Sequence, residues 1–117
     1  MKIVIDYKFD NWNDTIRKSR TNYNYANTAK QKEMEVVKYN LLNVPKITAY
    51  PVKMVFKWHI KSVISDLDNK SVKSILDQMQ KSGILVNDNI KYVREITHIA
   101  IPDKKDYVEI EILPYSE

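Results

Sequence analysis

Residues 65–89 read Ser65-Asp-Leu-Asp-Asn-Lys-Ser-Val-Lys-Ser-Ile-Leu-Asp-Gln-Met-Gln-Lys-Ser-Gly-Ile-Leu-Val-Asn-Asp-Asn89, and this stretch decides the fold. Its apolar residues recur at i, i+3, i+4 and i+7, the spacing that places side chains on one face of an α-helix. These residues are Val72, Ile75, Leu76 and Met79. The spacing predicts an amphipathic helix of about 14 residues. We expect Asp68 or Asn69 as its N-cap, and Gly83, the only glycine, as the left-handed residue beyond its end.

Three aspartates flank this predicted helix. Asp66 and Asp68 precede it, and Asp88 follows it. A helix of about 14 residues rises about 21 Å, and six extended residues after it cover about 20 Å in the opposite direction. The apolar run at 84–86 suits such a return strand, so we expect Asp88 beside the other two carboxylates. Oxygen ligands of this kind suit a hard divalent ion such as Mg²⁺. The alternative is that the aspartates only cap the helix and form a turn.

The size and composition indicate a single globular domain over residues 1–117. The hydrophobic fraction is 44%, which is that of a folded protein. There are no cysteines, which excludes disulfides, zinc–thiolate sites and thiol nucleophiles. No secretory signal and no membrane-spanning apolar run appear, so we expect a cytoplasmic protein of a bacterial or phage-infected cell, with no membrane partner. The net charge of +4 leans toward a polyanionic partner.

The N-terminal third begins with a predicted strand over 1–9 and continues into a polar segment over 10–25. This segment holds the basic residues Arg17, Lys18 and Arg20 among asparagines and aromatic residues. Basic residues interleaved with aromatics and amides suit contact with phosphates and exposed bases. The alternative is a surface loop whose aromatic residues cover the edge of the core.

A helix is predicted from about Thr28 to Leu42, with its buried stripe formed by Met34, Val37 and Leu41. Thr28 and Gln31 resemble a capping box at its start. The stripe faces the core, and the charged residues of the segment face solvent.

The clearest strand is predicted over residues 52–60, where apolar side chains alternate with others. One face is wholly apolar. The other face carries a basic ridge, formed by Lys53, Lys57 and Lys61 together with Val55 and His59. Such a ridge suits phosphate contacts, and the alternative is an ordinary solvated sheet face.

Two further strands are predicted after the central helix, over 90–101 and 107–113, with residues 102–106 as a hairpin tip. The inward side chains of the last strand are Val108, Ile110 and Ile112. The element order is then β-α-β-α-β-β. This order is typical of an α+β domain with a mixed, mostly antiparallel sheet.

Several residues together resemble the signature of the RusA family of Holliday junction resolvases. They are Asp66-Leu67-Asp68-Asn69, Lys73, Asp77, Gly83 and Asn87-Asp88. The resemblance implies a RusA-like fold and a homodimeric, Mg²⁺-dependent endodeoxyribonuclease, with Mn²⁺ as a substitute ion. Such an enzyme resolves four-way DNA junctions by paired phosphodiester hydrolysis in recombination and repair, and is often encoded by prophages.

The resemblance also implies roles for individual residues. Asp66, Asp68 and Asp88 match the catalytic, metal-binding carboxylates of the family. Lys73 most nearly matches its essential lysine. The spacing Asp-Asn-Lys-Ser-Val-Lys is one residue longer than usual, so Lys70 is an alternative. The family often has Asp-Asp where this chain has Asn87-Asp88.

We expect DNA contacts from basic residues of the polar segment 10–25, of the ridge on the predicted strand 52–60, and of the stretch before the central helix. These residues are Arg17, Lys18, Arg20, Lys53, Lys57, Lys61 and Lys70. Val55, Val93 and Ile99 are candidates for an exposed apolar dimer interface. His59 and His98 lie on separate strands, so we expect ordinary, partly buried histidines rather than a metal pair. The alternative function is a non-catalytic, structure-selective DNA-binding module, in which the aspartates are only caps.

Overall fold

The structure is a computed structural model that describes residues 1–7, 9, 23–62 and 72–116, with side chains of the first helix from residue 31 onward. Its elements follow the predicted order β-α-β-α-β-β. They are β1 (Lys2–Ile5), α1 (Tyr23–Asn40), β2 (Val52–Ile60), α2 (Lys73–Lys81), β3 (Val93–Pro102) and β4 (Tyr107–Pro114). No helix among these described residues is long and apolar enough to cross a membrane.

The strands form one four-stranded sheet in the order β1-β4-β2-β3. β4 is antiparallel to both β1 and β2, whereas β2 and β3 are parallel. The prediction of a mixed, mostly antiparallel sheet in an α+β domain is therefore confirmed. β2 and β4 are the two inner strands of the sheet. The wholly apolar face of β2 fits this position, because a strand with a neighbour on each side is more buried than an edge strand.

The predicted hairpin at residues 102–106 is wrong. β3 and β4 do not pair with each other, because they lie on opposite sides of β2. The connection instead passes over the end of β2, where the Asp103 N–H donates to the Ile60 carbonyl oxygen over 3.0 Å. The physical reason is the helical crossover between β2 and β3. It makes these two strands parallel neighbours and leaves the other edge of β2 for β4.

The hydrophobic core lies on one face of the sheet, beneath the two helices. The predicted apolar face of β2 is buried throughout, as are the predicted inward residues of β4. Ile3 and Ile5 complete the sheet side of the core, and α1 contributes Val37 and Leu41. Met34 is only half-buried. The period-two and period-3.6 patterns thus identified the core faces correctly.

Several element boundaries differ from the sequence prediction. α1 begins at Tyr23, so Thr28 lies inside the helix and the predicted capping box is wrong. β1 ends at Ile5, and β3 begins only at Val93. Helix ends depend on the local environment of a few backbone groups, which a periodic pattern does not specify.

Helix α2 has nine residues rather than about 14. Its N-cap is Val72, with no side-chain hydrogen bond, so neither Asp68 nor Asn69 caps it. Its C-terminus is as predicted, since Gly83 has φ +76°. The Ile84 N–H donates to the Met79 carbonyl oxygen over 2.9 Å, which closes a Schellman motif.

The segment after Gly83 does not form the predicted return strand. Ile84 and Leu85 are buried, and Val86 is exposed. The Ile47 N–H donates to the Ile84 carbonyl oxygen over 2.9 Å, so the segment is held against the chain that leads into β2. The side chains of Ile84 and Leu85, which follow the helix, pack into the core. This packing favours the observed conformation over a strand.

Candidate functional site

Asp88 lies in an exposed loop between α2 and β3. Asparagine side chains shape this loop. The Asn89 N–H donates to Asn87 Oδ1 over 3.0 Å, and the Lys91 N–H donates to Asn89 Oδ1 over 3.0 Å. These are the local side-chain bonds that asparagine makes in turns. The loop therefore presents the Asp88 carboxylate to solvent, where an ion or a phosphate-bound ion can reach it.

The loop of Asp88 lies at the end of the sheet where β2 begins. The Val52 N–H donates to the Tyr92 carbonyl oxygen over 2.8 Å, and the Val86 N–H donates to the Tyr50 hydroxyl over 3.2 Å. Residues 63–71 follow the opposite end of β2. A strand of nine residues is about 26 Å long from its first to its last Cα atom.

Asp66 and Asp68 lie outside the described residues, and their predicted convergence with Asp88 stays a prediction. The length of β2 shows what this convergence requires. Asp66 is the sixth residue after Ile60, and six extended residues reach at most about 21 Å. A site formed within one chain therefore needs residues 61–66 to run back along most of β2.

β1 and β2 finish at the same end of the sheet, with β4 between them. Both are antiparallel to β4, so they run in the same direction. Ile5 and Trp58 both pair with Val108, so the C-terminal ends of β1 and β2 lie level on the two sides of β4. In the sequence, residues 10–22 follow β1 and residues 63–71 follow β2. The candidates that they carry, Arg17, Lys18, Arg20 and Lys70, lie outside the described residues.

The candidate lysine Lys73 is the first residue of α2, and its side chain is exposed. It lies at the opposite end of the helix from the loop of Asp88. The helix rises about 12 Å from residue 73 to residue 81. Lys73 thus lies at the end of α2 that follows residues 63–71 in the sequence. A basic partner of Asp66 and Asp68 is needed at this end of the helix.

The basic ridge on β2 is matched by acidic residues on both neighbouring strands. Lys53 Nζ lies 2.9 Å from a Glu95 carboxylate oxygen on β3, and Lys57 Nζ lies 3.5 Å from one of Glu111 on β4. The bond from Lys53 also lowers the pKa of Glu95. Lys61 is exposed just beyond the strand. Such pairs are weak, so phosphates can compete with them, but the net positive field of the ridge is reduced.

Two of the three candidates for an apolar dimer interface are corrected by the structure. Val55 is 8% exposed and Val93 6% exposed, so both are buried within the subunit. Val55 lies on the ridge face, between Thr97 of β3 and Glu111 of β4. Ile99 on β3 is 41% exposed and stays available for contact.

Sequence analysis missed a charged cluster around His59, on the sheet face opposite the helices. His59 is 9% exposed. Its Nδ1 lies 2.9 Å from Asp103 Oδ2, and its Nε2 lies 2.7 Å from Glu109 Oε1. The Tyr107 ring stacks on the imidazole at 4.0 Å. The two carboxylates are on opposite sides of the ring and do not converge on one ion. In the part of the chain that the structure describes, no group of three or more metal-ligating side chains is arranged to hold a metal.

The carboxylates of this cluster are stabilised in their charged forms. The pKa of Glu109 is lowered, first because Lys2 Nζ donates to it over 2.7 Å and then because His59 bonds to it. The pKa of Asp103 is lowered by the backbone N–H of Lys104 and by His59. Burial and the two nearby carboxylates raise the pKa of Tyr107. The cluster is therefore a network of compensated charges.

His98 has a different environment on the other face of the sheet. Its Nδ1 accepts a hydrogen bond from Trp58 Nε1 over 2.9 Å. Burial lowers the pKa of His98, so the ring is neutral at pH 7 and carries its proton on Nε2. His59 and His98 point to opposite faces and do not share a ligand.

The fold and the described side chains define a small α+β protein with a four-stranded mixed sheet and two helices on one face. No protein-family model and no curated protein matches the sequence. The resemblance to the RusA family therefore depends on the signature residues in and around α2.

Proposed function

We propose that the protein is a Mg²⁺-dependent endonuclease that cuts branched DNA, with the four-way junction as its main substrate. The observation that carries the proposal is the arrangement of Asp66 and Asp68 before α2 and Asp88 after it. Two structural features support it. Asp88 is exposed in a loop shaped by asparagines, and Gly83 ends α2 as the motif requires.

The proposed chemistry uses the three carboxylates as oxygen ligands for the ion, and the exposed carboxylate of Asp88 fits this role. When bound, Mg²⁺, or Mn²⁺ in its place, acidifies a water molecule and polarises the phosphate. Lys73 or Lys70 neutralises charge on the phosphate in the transition state. Asn69 orients a ligand carboxylate.

A homodimer accounts for paired cuts. A four-way junction has two-fold symmetry, so two subunits related by a two-fold axis bring one acidic site to each of two opposed strands. Ile99 is the remaining candidate for the apolar contact between subunits. The product is two duplexes, each with a nick, which fits a role in recombination and repair.

The test is cleavage of a synthetic four-way junction in Mg²⁺ by the variants Asp66→Asn and Asp88→Asn. We expect each variant to lose more than roughly 100-fold in rate, since even outer-shell residues of metal sites account for 10- to 100-fold. Asp6→Asn is the matched control, because Asp6 is an exposed aspartate that pairs with Lys105 and is neither a proposed ligand nor a signature residue, so the rate should stay unchanged. Cutting at the wild-type rate by both Asp66→Asn and Asp88→Asn contradicts the proposal.

A second candidate is a DNA-binding module without catalytic activity. The length of β2 favours it, because the loop of Asp88 and the start of residues 63–71 lie at opposite ends of this strand. Junction binding without nicking in Mg²⁺ or Mn²⁺ would support this candidate. If the protein does not bind DNA even at low salt, where phosphate contacts are strongest, both candidates are wrong.

A further inference from the structure

Three half-buried tyrosines meet at the end of the sheet where β2 begins. Tyr50 precedes β2, Tyr92 precedes β3 and Tyr115 follows β4. The backbone joins them, because Val52 N–H donates to the Tyr92 carbonyl oxygen over 2.8 Å. The Tyr115 N–H similarly donates to the Pro51 carbonyl oxygen over 3.0 Å. Three separate segments of the chain therefore bring these tyrosines to the same end of the sheet.

Two basic side chains lie over these rings. Lys91 Nζ is 5.6 Å from the centre of the Tyr92 ring, and Arg94 Cζ is 5.6 Å from the centre of the Tyr115 ring. These distances are those of cation–π contacts. The Tyr50 and Tyr92 rings pack edge to face, with centres 5.1 Å apart. We call these five residues the tyrosine patch: Tyr50, Lys91, Tyr92, Arg94 and Tyr115.

A purely structural role explains only part of the tyrosine patch. The Tyr50 hydroxyl accepts a hydrogen bond from the Val86 N–H, which fixes the loop after α2. The hydroxyl groups of Tyr92 and Tyr115 take part in none of the hydrogen bonds formed among residues 1–7, 23–62 and 72–116. Both rings remain partly exposed and carry a cation nearby.

Aromatic rings beside basic side chains suit one class of ligand in particular. Bases stack on the rings, and phosphates between them contact the cations, as in proteins that bind single-stranded nucleic acid. The tyrosine patch also adjoins the candidate ligand Asp88. The Tyr92 N–H donates to the carbonyl oxygen of Asn89, the residue after Asp88, over 3.0 Å.

We infer that the tyrosine patch binds unpaired nucleotides of DNA next to the strand held at Asp88. The inference rests on the proposed function only where it places a DNA strand at Asp88. Stacking of bases on the tyrosine rings needs no metal. It adds a DNA contact at the end of the sheet opposite to the one where β1 and β2 finish. A branched substrate that spans both ends would be held across the whole length of β2.

The test is fluorescence anisotropy in EDTA with a labelled single strand of about 12 nucleotides, within the site sizes of single-strand binding folds, and with a labelled four-way junction. Tyr92→Leu removes the ring and keeps an apolar side chain. We expect it to bind the single strand roughly 5- to 100-fold more weakly, the loss of about one stacked base. Tyr92→Phe keeps the ring and should bind within about 2-fold of wild type.

Two further variants keep the result interpretable. Tyr39→Leu removes a tyrosine on α1 that is 74% exposed and should leave binding unchanged. Lys91→Gln alters only an exposed side chain and should weaken binding several-fold even if Tyr92→Leu does not fold. The inference is overturned if Tyr92→Leu and Lys91→Gln bind like wild type, or if Tyr39→Leu loses as much affinity as they do.

The same measurements separate this inference from the proposed function. If the wild type binds DNA and Tyr92→Leu binds equally well, the tyrosine patch is wrong and the endonuclease stands. If Asp66→Asn and Asp88→Asn still cut the junction while Tyr92→Leu loses binding, the metal site is wrong and the tyrosine patch stands. A wild-type protein that binds neither DNA overturns both.

Discussion

At the scale of single residues, His59 shows how the sheet connects a buried polar side chain to the charged groups around it. Its two ring nitrogens lie 2.9 Å from Asp103 Oδ2 and 2.7 Å from Glu109 Oε1. Lys2 Nζ lies 2.7 Å from the other carboxylate oxygen of Glu109. The cluster joins β1, β2 and β4 with the connection before β4. These contacts on the open face of the sheet favour the charged forms of the Asp103 and Glu109 carboxylates.

The lowered pKa values of Glu109 and Asp103 predict acid sensitivity. In the unfolded chain these groups take up protons near their ordinary values of 4.5 and 3.8, whereas in the folded protein they do so only at lower pH. The unfolded state therefore binds more protons in acid, and the stabilisation they supply is present above these values. It is lost as the pH falls through the folded values.

Urea unfolding of wild type and Glu109→Gln between pH 7 and pH 3 tests this prediction. We expect Glu109→Gln to be less stable at pH 7 and the difference to shrink as the pH falls below about 4.5, where Glu109 of the unfolded chain takes up a proton while that of the folded protein stays charged until a lower pH. Lys57→Gln, which alters an exposed pair on the same face, should show a much smaller difference. A difference that is constant with pH would contradict the assignment.

At the scale of elements, the C-terminus of α2 depends on Gly83. Its φ of +76° is a conformation in which a Cβ atom is strained. An added Cβ would meet nothing within 4 Å, so no steric contact with other residues adds to this strain. The cost of a side chain at this position is therefore conformational. The Schellman motif in turn directs the chain to the loop of Asp88.

Gly83→Ala should lower the free energy of unfolding by about 1–2 kcal/mol, the cost of a left-handed conformation for a residue with a Cβ. Gly83→Asn should cost less, since asparagine tolerates this conformation. Ser82→Ala is the control, because Ser82 has an ordinary helical conformation and an exposed side chain. Thermal or urea unfolding measures all three. Equal stability of Gly83→Ala and wild type would contradict the prediction.

At the scale of the whole molecule, β2 separates two places where DNA contacts are proposed. In the sequence, the basic segment 10–22 follows β1, whose end lies level with the end of β2. The tyrosine patch lies near the start of β2. Between them runs the basic ridge, whose lysines are partly neutralised by Glu95 and Glu111. The distribution of charge, rather than the net charge of +4, thus determines how much this face attracts DNA.

Removing a neutralising glutamate should strengthen DNA binding if the ridge contacts phosphates. We expect Glu95→Gln to bind the junction several-fold more tightly at low salt, with a steeper salt dependence by about one released counterion. Glu35→Gln is the matched control, because Glu35 is exposed on α1, away from the ridge. Anisotropy titrations at several salt concentrations give both quantities. Identical curves for the two variants would exclude the ridge as a contact surface.

How much could be predicted from sequence depends on whether a feature is local. The bounds of β2 and the left-handed Gly83 were predicted correctly, because each depends on a period or a conformation within a few residues. The hairpin between β3 and β4 was wrong, because pairing across a sheet is decided by distant segments. The cluster of His59 was missed for the same reason, since its partners Asp103 and Glu109 are 44 and 50 residues away.

By itself, the sequence determined the number, order and type of the elements, the residues that face the core, and the spacing of the three aspartates about α2. Only the tertiary structure decided that β2 lies between β3 and β4, that its ridge is paired with glutamates, and that the loop of Asp88 lies where this strand begins. The physical reason is that side-chain periodicity is set by the geometry of the local backbone. Strand neighbours and charge partners are instead set by the way the whole chain buries its apolar surface.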